Sequence, residues 1–377
     1  SRGVNWQTIV FISGMMVMVK GLADAGFFRW LCLVVARTVR YRNAPILVSF
    51  MFLSGLLSMF ISSITVMLFM AAVTIELARL LGFDPVPVVI GEVFASNVGG
   101  SATMSGDPPN VIVGTTLGYT FTDFVTNVGP IALLGLLLSV LFFYLIFKRS
   151  LAAAEQKNTG AEAVQYPEPR DAIASMRSFV CHSGILALVV VLIVTQAQSG
   201  LSIASAGAVA AVLTLLAGGR NAVRILRDID WRTLLFLIGL FICVSGLEET
   251  GVLGLLAGRI GEASGGSLMA VVAIILWGSA FVSAIVDNIP FIAAMLPVVS
   301  ALGQTVGFSQ QPMVWALVLG TDIGGNGTPI GASANVVGTA VCAREGYPIG
   351  WGRYLKYAMP PMMMVMILCT VMLSLKY

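Results

Sequence analysis

Long apolar stretches punctuated by short polar breaks run through this chain. Residues 6 to 23 form an apolar run of helix length, 26 to 41 a shorter segment, and 44 to 81 a long run interrupted midway by "FISSIT". A polar, Gly-rich middle at 97 to 110 then breaks a further helix, and one full-length apolar helix follows at 127 to 147. The series returns at 231 to 247, 251 to 264, 268 to 303 (interrupted by "VDNIP"), 322 to 335 and 351 to 374. Apolar runs of this length predict membrane-spanning helices. A polar, Gly-rich segment at the same depth predicts backbone that lines a cavity, because lipid satisfies no amide or carbonyl.

A shift of 225 residues lays the chain on itself without a gap from Asn5 to Asn110. Trp6/Trp231, Thr8/Thr233, Phe11/Phe236, Gly14/Gly239, Gly21/Gly246 and Gly26/Gly251 coincide in the first helix of each copy, and shared Trp and Gly do not arise from bulk hydrophobicity. "SNVGGSATMSGDPPNVIVG" at 96 to 114 meets "TDIGGNGTPIGASANVVGT" at 321 to 339, with both Gly-Gly pairs, Thr103/Thr328, Gly106/Gly331 and Asn110/Asn335 in register. Two copies of one unit follow from this.

The expected architecture is an all-α polytopic membrane protein of two inverted repeats, each with a re-entrant helical hairpin and a discontinuous transmembrane helix. Residues 1–147 form the first repeat, 148–178 a polar, basic cytoplasmic loop, and 179–377 the second repeat. Two spans, 181 to 197 and 201 to 217, precede the second unit, and their counterparts would fall before Ser1. The first repeat is therefore expected to lack its two N-terminal helices.

Composition agrees with this class and excludes others. Of 377 residues, 58% are hydrophobic and only 10% charged, far from the quarter or so charged in soluble domains. A net charge of +3, with its bases at helix ends, gives no reason to expect nucleic acid. Cys32, Cys181, Cys243, Cys342 and Cys369 are scattered singly, so neither a zinc site nor a disulfide framework is expected, nor any cofactor. No nucleophile–base pair suggests an enzyme.

Charge also predicts topology. With the 148–178 loop in the cytoplasm, Arg220, Arg224, Arg227 and Arg232 fall on the same side, as do Arg29, Arg37, Arg40 and Arg42, and then Arg79, Arg344, Arg353 and Lys356. That placement requires 44 to 81 and 268 to 303 each to enter and leave on one face. Five spans per unit, an odd number, turn the second copy upside down, so the two hairpin tips and polar breaks converge near the midplane, an arrangement typical of secondary transporters. An inner (plasma) membrane location is expected.

Oxygen-bearing side chains gather at the breaks. Candidate solute ligands are Ser62, Ser63 and Thr65 at the first tip, Asn288 at the second, Asn97, Ser101, Thr103 and Asn110 in the first broken helix, and Asn326, Thr328, Ser333 and Asn335 in the second. Gly99, Gly100, Gly324 and Gly325 are expected to unwind and turn their backbone toward the solute. Pro108, Pro109, Pro290 and Pro329 hold the helices broken. Asp107, Asp287 and Asp322 are candidates for coupling to protons or other ions, because a carboxylate deep in a bilayer is expensive and marks an ion path. Asp107 could instead cap the helix that starts at Pro108. Close helix packing through small residues explains Gly-Gly pairs but not these acids. Lys20 either pairs with an acid or reaches for the interface, Glu76 and Glu92 are expected near solvated helix ends, and His182 is expected to be structural.

These motifs resemble the ion transporter superfamily that includes the arsenite/antimonite permeases, the melanosomal P protein and the divalent anion/sodium symporters. "GGSATMSGDPPNVIVG" resembles the first-half signature of that group and "GGNGTPIGASANVVGTA" the second-half signature of the P protein and arsenite permeases. "FISSITVML" is similar to the first tip of the divalent anion symporters, although Ser63 stands where they carry Asn and the spacing to Thr differs. The acid–amide pair that many arsenite permease relatives carry at both tips is kept here only at the second, as Asp287 and Asn288. The likeness implies an elevator-type carrier, often dimeric, that moves a small inorganic solute against protons or sodium within membrane lipid. It leaves open a soluble ATPase partner on the loop. Since no Arg or Lys occupies a signature or tip, uncharged arsenite or antimonite hydroxide suits the site, expelled in exchange for protons. A sodium-coupled or P protein-like anion transporter and a sodium/proton antiporter are the alternatives.

Overall fold

The computed structural model describes residues 3–158 and 166–377, and among them it is entirely helical. The first unit runs α1 (Trp6–Asp24), α2 (Phe27–Thr38), α3 (Asn43–Ser58), α4 (Ser63–Leu81), α5 (Pro85–Ser101) and α6 (Pro108–Leu117), followed by a short α7 (Phe121–Asn127) and a long α8 (Gly129–Asn158). Between the units lie α9 (Met176–Val194), α10 (Gln196–Ser199), α11 (Ile203–Gly218) and α12 (Ala222–Arg227). The second unit follows as α13 (Trp231–Glu249), α14 (Val252–Ala263), α15 (Leu268–Ser283), α16 (Asn288–Val306), α17 (Gln310–Gly324), α18 (Ser333–Arg344) and α19 (Trp351–Lys376). Seven of these helices are long and apolar enough to cross a membrane. This is a multi-span membrane protein.

Both ends of α13, α14, α15 and α16 fall 225 residues after those of α1, α2, α3 and α4, and α17 and α18 begin at the same offset from α5 and α6. Local chemistry recurs with the boundaries. Asn5 accepts from the Thr8 N–H to cap α1, and Asp230 accepts from Thr233 to cap α13, each supplying an oxygen to an otherwise orphaned amide. Gly26 (φ 84°) and Gly251 (φ 75°) turn the chain in the left-handed region between the first two helices of each unit.

At the centre, α5 is buried along its whole length and α17 from Pro312 onward. A helix apolar and enclosed on every side belongs to a core rather than to a lipid-facing surface. Helices α3, α4 and α8 pack on α5, α15 and α16 on α17, and α5 and α17 touch each other. Trp315 of α17 is fully buried between Tyr119 and Phe124, ring centroids 4.8 and 5.1 Å away. Leu216, Leu235 and Leu255 on α11, α13 and α14 are largely exposed, the pattern of a surface whose solvent is hydrocarbon.

The loop expected at 148–178 is shorter than its polarity suggests. Helix α8 continues to Asn158, because Leu151 to Gln156 are strong helix formers that need no apolar periodicity to stay helical. The part of that loop at 159–165 lies outside the described residues. Beyond it, Tyr41 stacks on Tyr166 at 4.4 Å and donates to the Pro167 carbonyl at 2.8 Å, which ties the connection to the α2–α3 turn.

Lys20 pairs with two acids, Asp24 and Asp228, each at 3.1 Å. His182 is buried with Nδ1 2.8 Å from the Ser178 carbonyl oxygen of its own helix. Glu76 is partly exposed and bound to Arg29 at 2.7 Å. Glu92 departs from expectation: it is fully buried midway along α5, because the end of a sequence segment here is the middle of a helix packed on all sides.

Candidate functional site

The long apolar runs break at residues 59–62 and 284–287, and the following helices at 102–107 and 325–332. Each break is braced in the same way. Asn110 Nδ2 donates to the carbonyls of Gly100 (3.0 Å) and Thr103 (3.1 Å), and Asn335 Nδ2 donates to those of Gly325 and Thr328 (both 2.8 Å). Thr103 and Thr328 donate their hydroxyls to the carbonyls of Met59 and Ala284 at the adjoining tips. A helix opened at membrane depth leaves backbone acceptors without water, and these amides and hydroxyls replace it.

Gly99 and Gly100 do not unwind as expected. They stay helical in α5, and Gly324 closes α17. Their role is close approach: a Cβ on Gly100 would sit 2.1 Å from Asp107 Oδ2, and one on Gly325 2.7 Å from Asn288 Oδ1. The unwound backbone belongs to the residues that follow them.

The two breaks meet. Asn97 on α5 donates from Nδ2 to Asn326 Oδ1 (2.9 Å) and Asn335 Oδ1 (2.8 Å), so one side chain joins positions 229 and 238 residues away. Asp107 stands before α6 with Oδ1 accepting from the Ser63 N–H (3.1 Å) and the Ser63 hydroxyl. It makes no side-chain cap to its own helix. Asp322 Oδ1 accepts from Asn288 Nδ2 at 3.2 Å, and Asn288 Oδ1 accepts from Ser283. Asp287 caps α16 through the Ile289 N–H at 3.1 Å and also accepts from Ser333.

A partly open cavity of about 20 Å³ is lined by Ser63, Asn97, Asp107, Pro108, Pro109, Asp287, Asn288 and Ser333, with Ile64, Ile289 and Ala332. That is room for one water-sized group. Near it, Asp322 Oδ2, Asn110 Oδ1 and Asn326 Nδ2 are buried without a hydrogen-bond partner among the described residues. Unpaired polar atoms in a low-dielectric interior are costly, and their clustering at the junction of two breaks marks a place for a polar guest.

Not every sequence candidate faces this point. Ser62 and Thr65 line a separate cavity of about 350 Å³ together with Lys20, Asp228, Ser105 and apolar residues of α1, because a helical tip sends neighbouring hydroxyls to different sides. Ser101 turns its hydroxyl back to the Val98 carbonyl. Pro290 follows Ile289 in the first turn of α16, where its missing N–H costs nothing. Glu92 is the buried acid that sequence reasoning set aside; its counterpart in the second unit is Leu317, and that mismatch was the available signal.

A family model described as CitMHS, citrate transporter, matches residues 1–320. The chain belongs to the CitMHS family. It is a secondary transporter, not an enzyme. This CitMHS-family chain is 33% identical over 356 residues to an uncharacterized transporter of Mycobacterium tuberculosis, an alignment that takes in 93% of this chain and 82% of that one. The human P protein is 27% identical over 449 residues, covering 98% of this chain and 53% of that protein. The crystal structure of the Alcanivorax borkumensis YdaH transporter superposes with a TM-score of 0.65 over 97% of this chain and 84% of that chain. At 15% identity, that likeness shows a shared fold alone.

Proposed function

We propose that this CitMHS-family transporter works by alternating access, with two oppositely oriented repeats, residues 1–147 and 179–377, delivering their helical hairpins and broken helices to one solute site. In this reading α3–α4 and α15–α16 are re-entrant, 148–178 is cytoplasmic, and hairpins and broken helices travel together as an elevator against the remaining helices, in the plasma membrane and as a homodimer. The observation that carries it is the bridge from Asn97 to Asn326 and Asn335, with unpartnered polar atoms gathered beside it. Broken helices facing each other across a repeat are where carriers hold their cargo.

The site chemistry favours an uncharged, hydroxylated cargo. Among the described residues Asp107, Asp287 and Asp322 have no Arg or Lys as a hydrogen-bond partner, so an approaching polyanion meets like charge. Arsenite or antimonite, as neutral trihydroxides, exceed the one-water cavity of this state and would bind through Ser63, Asn97, Asn288 and Ser333 once the two tips part, leaving in exchange for protons carried on Asp287 and Asp322. A second reading comes from the family description, which names citrate. A tricarboxylate would enter only with protons or sodium neutralising the same acids.

Inverted and right-side-out vesicles under imposed proton or sodium gradients separate these readings. Arsenite efflux driven by protons is expected, falling at least about tenfold in Asp287→Asn and in Asp322→Asn. If both variants keep gradient-driven flux, the acids are not the coupling groups. Sodium-dependent citrate uptake without arsenite movement selects the second reading.

A further inference from the structure

Helix α5 carries one enclosed carboxyl group of its own, about one and a half turns from Asn97. Glu92 is 0% exposed; Thr74 of α4 donates to its Oε1, while Oε2 has no hydrogen-bond partner among the described residues. The adjoining seam of α4, α5 and α18 is apolar, built from Met67, Ile75, Val89, Val93 and Val341. An ionised carboxylate with one bare oxygen in such surroundings is among the most expensive arrangements a helix bundle holds.

Among the described residues no cation pairs with that charge. The thiols of Cys32 on α2 and Cys342 on α18 lie close enough to feel its charge. The elements packed on α5 carry, among the described side chains, Glu76 and Arg79 on α4, Lys148, Arg149 and Glu155 on α8, Asp322 on α17, Arg344 on α18, and Arg353, Lys356 and Lys376 on α19; α3 carries none. Among the described residues none of these forms an ion pair with Glu92.

The fold does not require the acid. At the matching offset in the second unit stand Val299 and Leu317, both fully buried, so the equivalent helix pair packs with aliphatic side chains alone. A costly polar pair kept in one copy and absent from the other needs a reason other than packing.

We infer that Glu92 is a proton-binding site separate from the paired breaks, loading and releasing one proton in each transport cycle. A proton drawn from water on one side forms an O–H bond on Oε2 and cancels the buried charge. When the carrier exposes the opposite side, that bond breaks to water and the carboxylate is restored, so charge and atoms balance without any redox partner. Because Asn97 lies on the same helix, the charge state at position 92 bears on the helix that bridges the two units. The inference deepens the proton-coupled reading above and rests on it.

The test uses full-length protein in lipid vesicles with arsenite as the solute probe, beside infrared difference spectra between mildly acidic and mildly alkaline buffer. Glu92→Gln fixes a neutral side chain of nearly the same shape, and Glu92→Leu copies the second unit and serves where the first variant folds poorly. Expected is loss of a carboxyl C=O band in both variants, with proton-driven accumulation falling about tenfold and gradient-free solute exchange held within about twofold. An unchanged band, or unchanged proton-driven accumulation, overturns the inference and leaves the carrier reading standing. Failure of the wild type to move arsenite sinks that cargo instead, and the infrared band alone then decides Glu92.

Discussion

In the break after α5, Asn110 ties the carbonyls of Gly100 and Thr103 and Thr103 reaches Met59; in the break after α17, Asn335 ties Gly325 and Thr328 and Thr328 reaches Ala284. Donors and acceptors correspond one to one at the 225-residue offset. The acids do not. Asp107 of the first unit corresponds to Ala332, while Asp287 and Asp322 of the second correspond to Ser62 and Asn97. Bracing must repeat, since any helix opened in lipid exposes the same backbone groups. Carboxylates packed close together repel, so duplicating each acid would add cost without adding structure. On the proposed reading the repeated bracing is scaffold, and the unrepeated acids are the coupling groups.

The sharpest break in that comparison is at the bracing amides themselves. Asn335→Ala removes three hydrogen bonds, two to carbonyls and one accepted from Asn97, which keeps Asn326; Asn110→Ala removes only the two to carbonyls. At about 0.5–1.5 kcal/mol for each lost hydrogen bond, the first substitution should cost about 1.5–4.5 kcal/mol and the second about a third less. Thermal unfolding of detergent-purified protein measures both. Equal losses would mean that the contact between the units adds nothing to the brace.

Next in size is the pair of glycines beside the acid–amide contacts. A methyl on Gly100 meets Asp107 Oδ2 at 2.1 Å, and one on Gly325 meets Asn288 Oδ1 at 2.7 Å. Overpacking of this kind costs about 1–3 kcal/mol, with Gly100→Ala the worse of the two. Because Asp107 is the obstacle, Gly100→Ala with Asp107→Ala should recover part of the loss, reproducing the alanine already present at 332. No recovery in the double variant would place the clash with the backbone instead.

How much of this was legible in the sequence depended on whether a residue's partner was local. Asn110 and Asn335 could be singled out because they repeat in register and brace carbonyls only ten and seven residues away. The breaks themselves were marked by Pro and polar residues at points where a continuous helix would otherwise be apolar. Ser62, Ser63 and Thr65 read as one cluster, yet only Ser63 faces Asp107, since the turn of the helix decides which hydroxyl points where. Glu92 was misplaced for a different reason. Its burial depends on α3, α4, α8 and α18 converging on α5, and no spacing within 85–101 carries that information.

A smaller effect tests the symmetry of the frame directly. Thr103→Val and Thr328→Val each delete one hydroxyl donor to a carbonyl at the adjoining tip while keeping the side chain's volume. Each should cost about 1 kcal/mol, and the two losses should agree within about half of that. Urea-induced unfolding in mild detergent compares them. A large disparity would show that one tip is held chiefly by something other than its threonine, and the equivalence of the two frames would fail there.

The smallest expected effect lies at the edge, where the units differ in charge. Arg29 on α2 and Glu76 on α4 meet at 2.7 Å with side chains 49% and 39% exposed, while the matching positions on α14 and α16 are Gly254 and Ala301. The second unit joins its helices without this pair, so the contact is not required by the fold. Exposed pairs gain little Coulomb energy and lose side-chain freedom, which limits their coupling to about 0.5 kcal/mol in a double-mutant cycle of Arg29→Ala and Glu76→Ala. High salt should reduce it further, because exposed charges are screened. A coupling above about 1 kcal/mol would mean that the first unit holds α2 to α4 by charge and the second holds α14 to α16 by shape. The distinction between repeated scaffold and unrepeated function would then have to be redrawn to include the scaffold's own surface.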